Sequence, residues 1–311
     1  MYEAYFGLKE NPFRLSPDPR FLYWSVSHRD ALNHILYGIG ERKGFIVVTG
    51  GIGTGKTTLC RALLKSLDET IDTALVFNPA VSDTDLLEMI LDEFRVSLPE
   101  GDRTKKRLID ALNLFLLDNY TAGRNAVLII DEAQNLSHHV LEQVRLLSNL
   151  ETDSEKLIQI VLVGQPELKR LLALPSLAQL NQRITVRCHV TPLARREMVP
   201  YLACRLSVAD RGKNLTFSAG ACRLLYRYSG GNPRYINAIC DRALLGAYAQ
   251  NSHTIDARLL REAVRDLGEG YLVDRSWLSL FRAPVLSWSL LAALLALAGA
   301  VFYMSRNVLT K

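Results

Sequence analysis

Nine consecutive residues, Gly50 to Thr58, constrain the fold of this chain more than any other part of its sequence. They read Gly-Gly-Ile-Gly-Thr-Gly-Lys-Thr-Thr and fit the pattern G-x-x-x-x-G-K-[ST]. An apolar run, residues 45–49, precedes them, and a helical pattern, residues 57–67, follows them. A strand, a glycine-rich turn and a helix N-terminus together make a cradle of backbone N–H groups for phosphates. The sequence therefore predicts a phosphate loop inside an α/β domain.

The polar side chains of this phosphate loop (residues 50–58) have separate expected roles. Lys56 is expected to reach the β- and γ-phosphates of a nucleotide, and Thr57 to bind Mg²⁺ through its hydroxyl. The other residues are expected to surround the phosphates, and they are Gly50, Gly51, Ile52, Gly53, Thr54, Gly55 and Thr58. ATP and Mg²⁺ are therefore the predicted cofactors.

Two adjacent carboxylates, Asp131 and Glu132, follow the apolar run of residues 126–130. Five successive apolar residues indicate a strand buried on both faces, and ligands bind at the carboxyl ends of such strands. Asp131 is expected to hold the Mg²⁺ through water, and Glu132 to act as the general base on an attacking water. Alone, the pair could simply cap a helix, but together with the phosphate loop it predicts hydrolysis in addition to binding.

Three further polar residues are candidates for the same site, and each has a simpler alternative on local grounds. Gln165 follows the apolar run 159–163 and is either a contact to the γ-phosphate or its water, or a polar turn residue before a proline. Arg183 precedes a strand and is either a solvated charge or an arginine finger supplied to a neighbouring subunit. Arg234 lies in the first turn of a predicted helix, where a base opposes the helix dipole, and is either a surface residue or a ligand for an anion.

Apolar runs and helical patterns alternate over the first part of the chain. The predicted strands are residues 45–49, 74–78, 126–130, 159–163 and 184–190. The predicted helices between them are residues 57–67, 84–94, 104–120, 137–150 and 167–180. This alternation predicts an α/β nucleotide-binding domain over residues 45–191, with a parallel sheet sandwiched by helices.

After residue 191 the pattern changes to helices alone. The predicted helices are residues 195–211, 218–229, 233–250 and 256–267, with no strand among them. They are assigned to a helical lid over residues 192–270. Upstream, residues 1–44 combine prolines and aromatics with a helix over 28–39, which predicts an extended segment and a helix of the same module. The aromatics of that segment could contact adenine, although packing against the sheet is the default expectation.

An uncharged apolar segment, residues 283–304, follows a linker over residues 271–282. As a helix it would be about 33 Å long, enough to cross a hydrocarbon core of about 30 Å. We expect a single transmembrane helix with a short tail over residues 305–311, and membrane lipid as its surroundings; a buried core helix is the alternative. The N-terminus lacks a signal-peptide pattern, so the ATPase domain is expected in the cytoplasm.

The composition excludes several classes of protein. The chain is 49% hydrophobic and 22% charged, which excludes wholesale disorder. Its net charge of +5 is mild for 311 residues, so nucleic acid is not an expected partner. Its five cysteines form no C-x-x-C pair, which predicts reduced thiols in place of a metal site or a disulfide framework.

Taken together, these motifs resemble those of AAA+ ATPases. Several stretches resemble more narrowly the ExeA-type (general secretion pathway protein A) ATPases. These stretches are Phe6-Gly7-Leu8-x-Glu10-x-Pro12-Phe13, Ser16-Pro17-Asp18-Pro19-Arg20, Asp131-Glu132-Ala133-Gln134, Leu162-Val163-Gly164-Gln165-Pro166-Glu167-Leu168 and Gly231-Asn232-Pro233-Arg234. The resemblance covers about residues 1–270. It implies that Gln165 is sensor 1, Arg234 sensor 2 and Arg183 the arginine finger, and hence that the chain forms a homo-oligomer, a ring or a dimer.

The resemblance also implies a biological setting. ATPases of this type belong to the bacterial inner membrane, where they act with a bitopic partner in the assembly of a secretin through peptidoglycan. Similar proteins carry a periplasmic peptidoglycan-binding region, whereas only seven residues follow the apolar segment here. Either the chain is truncated or another subunit contacts the cell wall, so direct peptidoglycan binding is not expected. Related ATPases serve pilus or exopolysaccharide export, and the sequence does not separate these settings from protein secretion.

Two competing functions have sequence features of their own. A DNA-associated AAA+ regulator, similar to the TniB or TnsC transposition ATPases, would share the core and tolerate the positive charge, but the apolar segment opposes it. A nucleotide-gated scaffold with negligible turnover would share every nucleotide-binding motif. The leading hypothesis is a membrane-anchored ATPase that remodels an envelope assembly.

Overall fold

A parallel five-stranded sheet forms the centre of the computed structural model, which describes residues 2–77, 81–97, 104–152, 155–209 and 215–268. The strands are β1 (Phe45–Gly50), β2 (Ile71–Val76), β3 (Asn125–Ile130), β4 (Gln159–Gly164) and β5 (Ile184–Val190). Their order across the sheet is β2-β3-β4-β1-β5, with every pairing parallel. The predicted α/β class with a parallel sheet is therefore confirmed.

Helices cover both faces of this sheet, which is why its central strands are apolar at nearly every position. The helices are α1 (Tyr2–Phe6), α2 (Val26–Gly40), α3 (Lys56–Ser66), α4 (Asp83–Glu93), α5 (Lys105–Thr121), α6 (His138–Leu147), α7 (Pro166–Leu172), α8 (Ala178–Arg183), α9 (Met198–Val208), α10 (Ala219–Ser229), α11 (Pro233–Ala249) and α12 (Ala257–Leu267). Side chains of α2 and α3 form the core on one face, and those of α4 to α8 form the core on the other. The sheet is thus the middle layer of three.

Some predicted boundaries were wrong, for identifiable reasons. Strand β2 covers Ile71–Val76 instead of 74–78, because it is an edge strand that pairs only with β3 and admits polar residues such as Asp72. The helix predicted over 167–180 is two helices, since Pro175 starts a separate 3₁₀ turn between α7 and α8. Helix α2 begins at Val26 and not at residue 28, because the Ser25 hydroxyl caps it.

The lid consists of α9 to α12, and it also contains one short strand pair. Strands β6 (Thr216–Phe217) and β7 (Thr254–Ile255) pair in parallel, so the expectation of a lid without strands was wrong. Two residues are too few to show a period in sequence. Each strand leads into a capped helix, because Ser218 caps α10 and Asp256 caps α12.

The N-terminal segment packs on the lid, which corrects the expectation that it packs on the sheet. Asn11 donates a 2.8 Å hydrogen bond to Asp241 of α11, and the Tyr2 hydroxyl donates to the same carboxylate. Arg205 of α9 donates through Nε to the carbonyl of Pro12 at 2.6 Å. The segment also forms a short helix, α1, where an extended chain was predicted.

The predicted linker, transmembrane helix and tail, over residues 271–311, lie outside the described residues. Within the described ranges, none of the helices has both the length and the apolar character that a membrane crossing requires.

Candidate nucleotide site

A cavity of about 370 Å³ lies at the edge of the sheet where β1, β3 and β4 end. Its walls include Ile52–Thr58 of the phosphate loop, Glu132 after β3 and Gln165 after β4. The N-terminal segment contributes Arg14–Asp18, and the lid contributes Arg234. Ligands of open α/β sheets bind at this edge, outside the carboxyl ends of the strands. Four of the five predicted catalytic residues therefore line or adjoin one cavity, and Arg183 is the exception.

The phosphate loop has a backbone that only glycine adopts without strain. Gly53 and Gly55 have φ of +75° and +94°, in the left-handed region. Lys56 folds back over the loop, where its Nζ donates to the carbonyls of Gly50 at 2.9 Å and Gly51 at 3.1 Å. The loop is therefore closed on itself, with the ammonium group inside the curve.

Lys56 is a cation held in a largely buried place, with 5% of its surface exposed. Burial lowers its pKa, while the negative charges of Glu132 and Asp131 act in the opposite direction. No carboxylate of the described residues forms a direct ion pair with it, and its partners are neutral carbonyls. A buried cation at a helix N-terminus, beside backbone N–H groups, fits the phosphates of a nucleotide.

Thr57 and Asp131 place two oxygen atoms side by side. The Thr57 hydroxyl donates to Asp131 Oδ2 at 2.7 Å, and the Glu132 N–H donates to Asp131 Oδ1 at 2.9 Å. Burial raises the pKa of Asp131, and these two hydrogen bonds oppose the rise. Hard oxygen donors suit Mg²⁺, which usually takes one or two protein ligands and completes its shell with phosphates and water. The pair therefore fits the predicted cation.

Glu132 is held in an unusual backbone conformation that aims its carboxylate. Its φ of +54° is left-handed, which is uncommon for a residue with a side chain. Its Oε2 accepts hydrogen bonds from Gln134 Nε2 at 2.6 Å and from Gln165 Nε2 at 3.2 Å. The two glutamines are joined as well, since the Gln165 N–H donates to Gln134 Oε1 at 2.9 Å. The carboxylate is thus fixed by two amides at the cavity wall.

The same contacts keep Glu132 ionised. Burial raises its pKa, but the hydrogen bonds from Gln134 and Gln165 and the charge of Lys56 outweigh that effect. The pKa of Glu132 therefore lies below its ordinary value. An ionised carboxylate that lines a nucleotide cavity suits the role of general base.

A pH profile tests this arrangement. Gln165→Leu removes one amide donor, so the pKa of Glu132 should rise and the acidic limb of kcat/KM for ATP should move to higher pH. The loss relative to wild type should be larger at pH 5 than at pH 8. Gln179→Leu, at an exposed position of α8, is the control and should leave the limb in place. An acidic limb that does not move in Gln165→Leu contradicts the view that Gln165 lowers the pKa of the catalytic Glu132.

The lid reaches the phosphate loop through the turn before α11. Asn232 donates through Nδ2 to the carbonyl of Ile52 at 2.7 Å and caps the helix by accepting the Arg234 N–H at 2.9 Å. A Cβ at Gly53 would lie 2.5 Å from Cβ of Arg234, so that glycine allows the contact. Among the described residues the guanidinium of Arg234 has no hydrogen-bonding or ionic partner, and Arg234 lines the cavity. Its position fits a contact with an anion.

Arg183 lies at the opposite ends of the strands, where β1 and β5 begin. It immediately precedes Ile184, which pairs with Phe45 at the start of β1, whereas the phosphate loop follows the end of that strand. The length of β1 puts about 17 Å between the two edges. The guanidinium donates to Ser148 Oγ at 2.7 Å and Asn149 Oδ1 at 2.5 Å, at the C-terminal end of α6. Arg183 therefore does not serve the nucleotide cavity of its own chain, and any contact with a nucleotide must be made to another subunit.

Two residues at the site were missed by the sequence reasoning. Gln134 belongs to the motif after β3, but its role depends on the left-handed turn at Glu132, which the sequence does not predict. His28 lies in the first turn of α2, and its Nε2 is 3.0 Å from the carbonyl of Thr54 in the phosphate loop. A single histidine in a helical pattern gives no signal of such a contact.

Comparisons with known proteins agree with this geometry. Residues 39–172 match the family model of an AAA domain. The chain is 48% identical, over 255 residues, to General secretion pathway protein A of Aeromonas hydrophila. The match covers 82% of this chain and 46% of that protein, so the chain spans about half the length of its relative.

Solved structures with the same fold have little sequence in common with the chain. The ORC2 protein of Aeropyrum pernix, solved with ADPNP and ADP, gives a TM-score of 0.63 at 18% identity, covering 83% of this chain and 71% of that one. Cdc6p of Pyrobaculum aerophilum gives 0.63 at 17% identity, covering 91% and 74%. The RuvB branch migration motor of Thermotoga maritima gives 0.51 at 17% identity, covering 77% and 69%. The chain therefore has the AAA+ fold, with an AAA domain over residues 39–172, and it is related in sequence to General secretion pathway protein A over the part of that protein that it spans.

Proposed function

We propose that this chain is an ATPase whose hydrolysis of ATP remodels a bacterial secretion or export assembly. The observation that carries the catalytic part is the Glu132 carboxylate, fixed by two amides beside the cavity that contains the phosphate loop. Relatedness to General secretion pathway protein A supports the cellular setting. Replacement of Glu132 by glutamine, with phosphate release and ATP affinity both measured, tests the proposal most directly.

Each residue of the site has a separate part in the proposed reaction. Glu132 accepts a proton from water as the water oxygen attacks the γ-phosphorus and the bond to ADP breaks. Gln165 and Gln134 orient that carboxylate, and Lys56 stabilises the charge on the phosphate oxygens. Thr57 and Asp131 would hold Mg²⁺, which supplies further neutralisation of phosphate charge when bound. Arg234, in the lid, would contact the γ-phosphate.

The role of Arg183 as an arginine finger is a proposal about contacts between subunits. Arg183→Ala should lower turnover by about 10³–10⁵-fold if the residue serves a neighbouring nucleotide. Lys56→Ala should also be inactive, but it keeps its own Arg183. Mixing the two inactive variants should therefore restore part of the phosphate release, because Lys56→Ala subunits supply the missing finger.

A matched variant separates this role from a structural one. Ser148→Ala removes an internal partner of Arg183 at the end of α6 and leaves the guanidinium in place. The Ser148→Ala variant should keep most of the turnover. In the wild type, turnover per subunit should rise with protein concentration, because the finger acts between subunits. If mixtures of the inactive variants stay inactive and wild-type turnover is independent of concentration, Arg183 is not a finger.

Anchoring in the bacterial inner membrane is the second part of the proposal. The uncharged segment 283–304 and the relative of the secretion pathway support it. The full chain should sediment with membranes and be released by detergent but not by high salt. A variant lacking residues 283–311 should remain in the supernatant, and equal behaviour of the two proteins contradicts the anchor. Crosslinking in those membranes is expected to recover a bitopic partner.

The DNA-associated alternative predicts a different result. An AAA+ regulator of the TniB or TnsC type should bind duplex DNA with an affinity that falls steeply as salt is raised. The proposed function predicts no such binding at physiological salt. A gel-shift titration at two salt concentrations, with and without ATP, distinguishes the two.

A further inference from the structure

The first turn of α2 brings a buried histidine against the phosphate loop. His28 is 2% exposed and lies between Ser25 on its own helix and Thr54 in the loop. Its Nδ1 is 2.6 Å from Ser25 Oγ, and its Nε2 is 3.0 Å from the Thr54 carbonyl oxygen. Neither contact follows from the hydrolysis chemistry described above.

The hydrogen-bonding partners determine which ring nitrogen of His28 carries the proton. A carbonyl oxygen only accepts, so Nε2 must be the donor to Thr54. Ser25 then donates its hydroxyl proton to Nδ1 and accepts the backbone N–H of His28 at 3.2 Å. Burial lowers the pKa of His28, which keeps the ring neutral. Every polar atom of the ring therefore has a partner, and the ring has one orientation.

This fixed ring determines the direction of one peptide group in the phosphate loop. The peptide bond between Thr54 and Gly55 is trans and planar, so the Gly55 N–H points opposite to the Thr54 carbonyl. Because His28 holds the carbonyl, it directs that N–H away from its own ring, and Gly55 itself lines the cavity. A Cβ on Gly55 would lie 2.9 Å from His28 Nε2, so the ring also packs closely on the loop.

The same helical turn is tied to the connection between β5 and the lid. Glu197, buried just before α9, accepts the Val26 N–H at 3.0 Å through Oε1 and the Ala194 N–H at 2.8 Å through Oε2. The Ser27 hydroxyl accepts the Thr191 N–H at 2.9 Å. One turn of helix thus contacts the phosphate loop on one side and the start of the lid on the other.

We propose that His28 is a positioning residue that sets the phosphate loop for nucleotide phosphates, and that Glu197 links this setting to the lid. The proposal rests on the proposed nucleotide-binding function and deepens it. It assigns His28 no contact with the reacting atoms, since the residue acts through the Thr54–Gly55 peptide.

Two replacements of His28 separate positioning from simple packing. His28→Gln places an amide donor at about the reach of Nε2, whereas His28→Asn keeps a polar group only near Ser25. Asn should weaken ADP binding about 10–100-fold, because it leaves the buried Thr54 carbonyl without a donor. Gln should stay within about 3-fold of the wild type. If the ring serves only to start α2, Asn should be the better replacement, and that order of affinities overturns the proposal.

The link to the lid is tested in the same titration. Glu197→Gln should weaken ADP binding about 3–10-fold, since the amide has one acceptor oxygen and leaves the second N–H group facing an NH₂ donor. In the His28→Asn background this added loss should disappear, because the connection is already broken. Additive losses contradict the link. If His28→Asn does not melt cooperatively, Glu197→Gln alone decides, and unchanged ADP affinity overturns the proposal.

Calorimetric titration of the full chain with ADP needs no turnover, so its outcome is separate from that of hydrolysis. Wild-type protein that binds no ADP refutes the proposed function itself. Wild-type protein that binds ADP with Asn and Gln variants of equal affinity refutes only the role of His28.

Discussion

Glu132→Gln is expected to lower ATP turnover by about 10²–10⁴-fold and to leave ATP affinity within a few-fold of the wild type. The glutamine keeps the shape of the side chain, but it cannot take a proton from water. Its amide also faces Gln134 and Gln165, whose donors now find one acceptor oxygen in place of a carboxylate. Phosphate release at saturating ATP measures the loss, and fluorescent ATP binding measures the affinity.

A second glutamate gives the control for this result. Glu69→Gln makes the same chemical change at an exposed position far from the cavity, and turnover should not change. Hydrolysis that persists in Glu132→Gln would exclude Glu132 as the base. Wild-type protein that binds ATP without releasing phosphate would favour the nucleotide-gated scaffold over the ATPase.

Gly231→Ala is expected to lower the free energy of unfolding by about 3 kcal/mol or more. Gly231 has φ of +80°, and a Cβ there would lie 2.0 Å from the backbone oxygen of Leu193. Gly231 also accepts the Leu193 N–H at 2.9 Å through its own carbonyl, so the two chain segments cannot move apart without losing that bond. Denaturant unfolding, followed by circular dichroism, measures the change.

Gly220→Ala, also in the lid, is the matched control for Gly231→Ala. Gly220 lies in the first turn of α10, and a Cβ there would make ordinary contacts, 3.5 Å from Ala257 and 3.7 Å from Ser218. Alanine should stabilise that helix by about 0.5–1 kcal/mol. If both glycine variants unfold at the same denaturant concentration, the close approach at Leu193 does not constrain the lid.

The parts of the site that could be predicted from sequence are those whose residues are adjacent in the chain. The phosphate loop and the Asp131–Glu132 pair each follow an apolar strand, and parallel strands bring their carboxyl ends together. His28 could not be found this way, since its partner Thr54 lies in another element and no local pattern joins them. Gln134 became visible only with the left-handed turn at Glu132.

Long-range packing set the limits of the fold prediction. The aromatics of the N-terminal segment are typical of core residues, but the sequence does not say which core they join. Their partners, such as Asp241 for Tyr2 and Arg205 for Phe21, lie roughly two hundred residues away in the chain. The short strands of the lid were not predicted for another reason, because a strand of two residues shows no periodicity in sequence.

The attachment of the N-terminal segment to the lid has a consequence for nucleotide exchange. Residues Arg14–Asp18 form part of the cavity wall, and Arg205 of the lid holds the carbonyl of Arg14 at 3.0 Å. A lid that swings away must therefore carry this wall with it or break the bonds to it. Opening of the cavity to a nucleotide is thereby coupled to the N-terminal segment and does not depend on the lid alone.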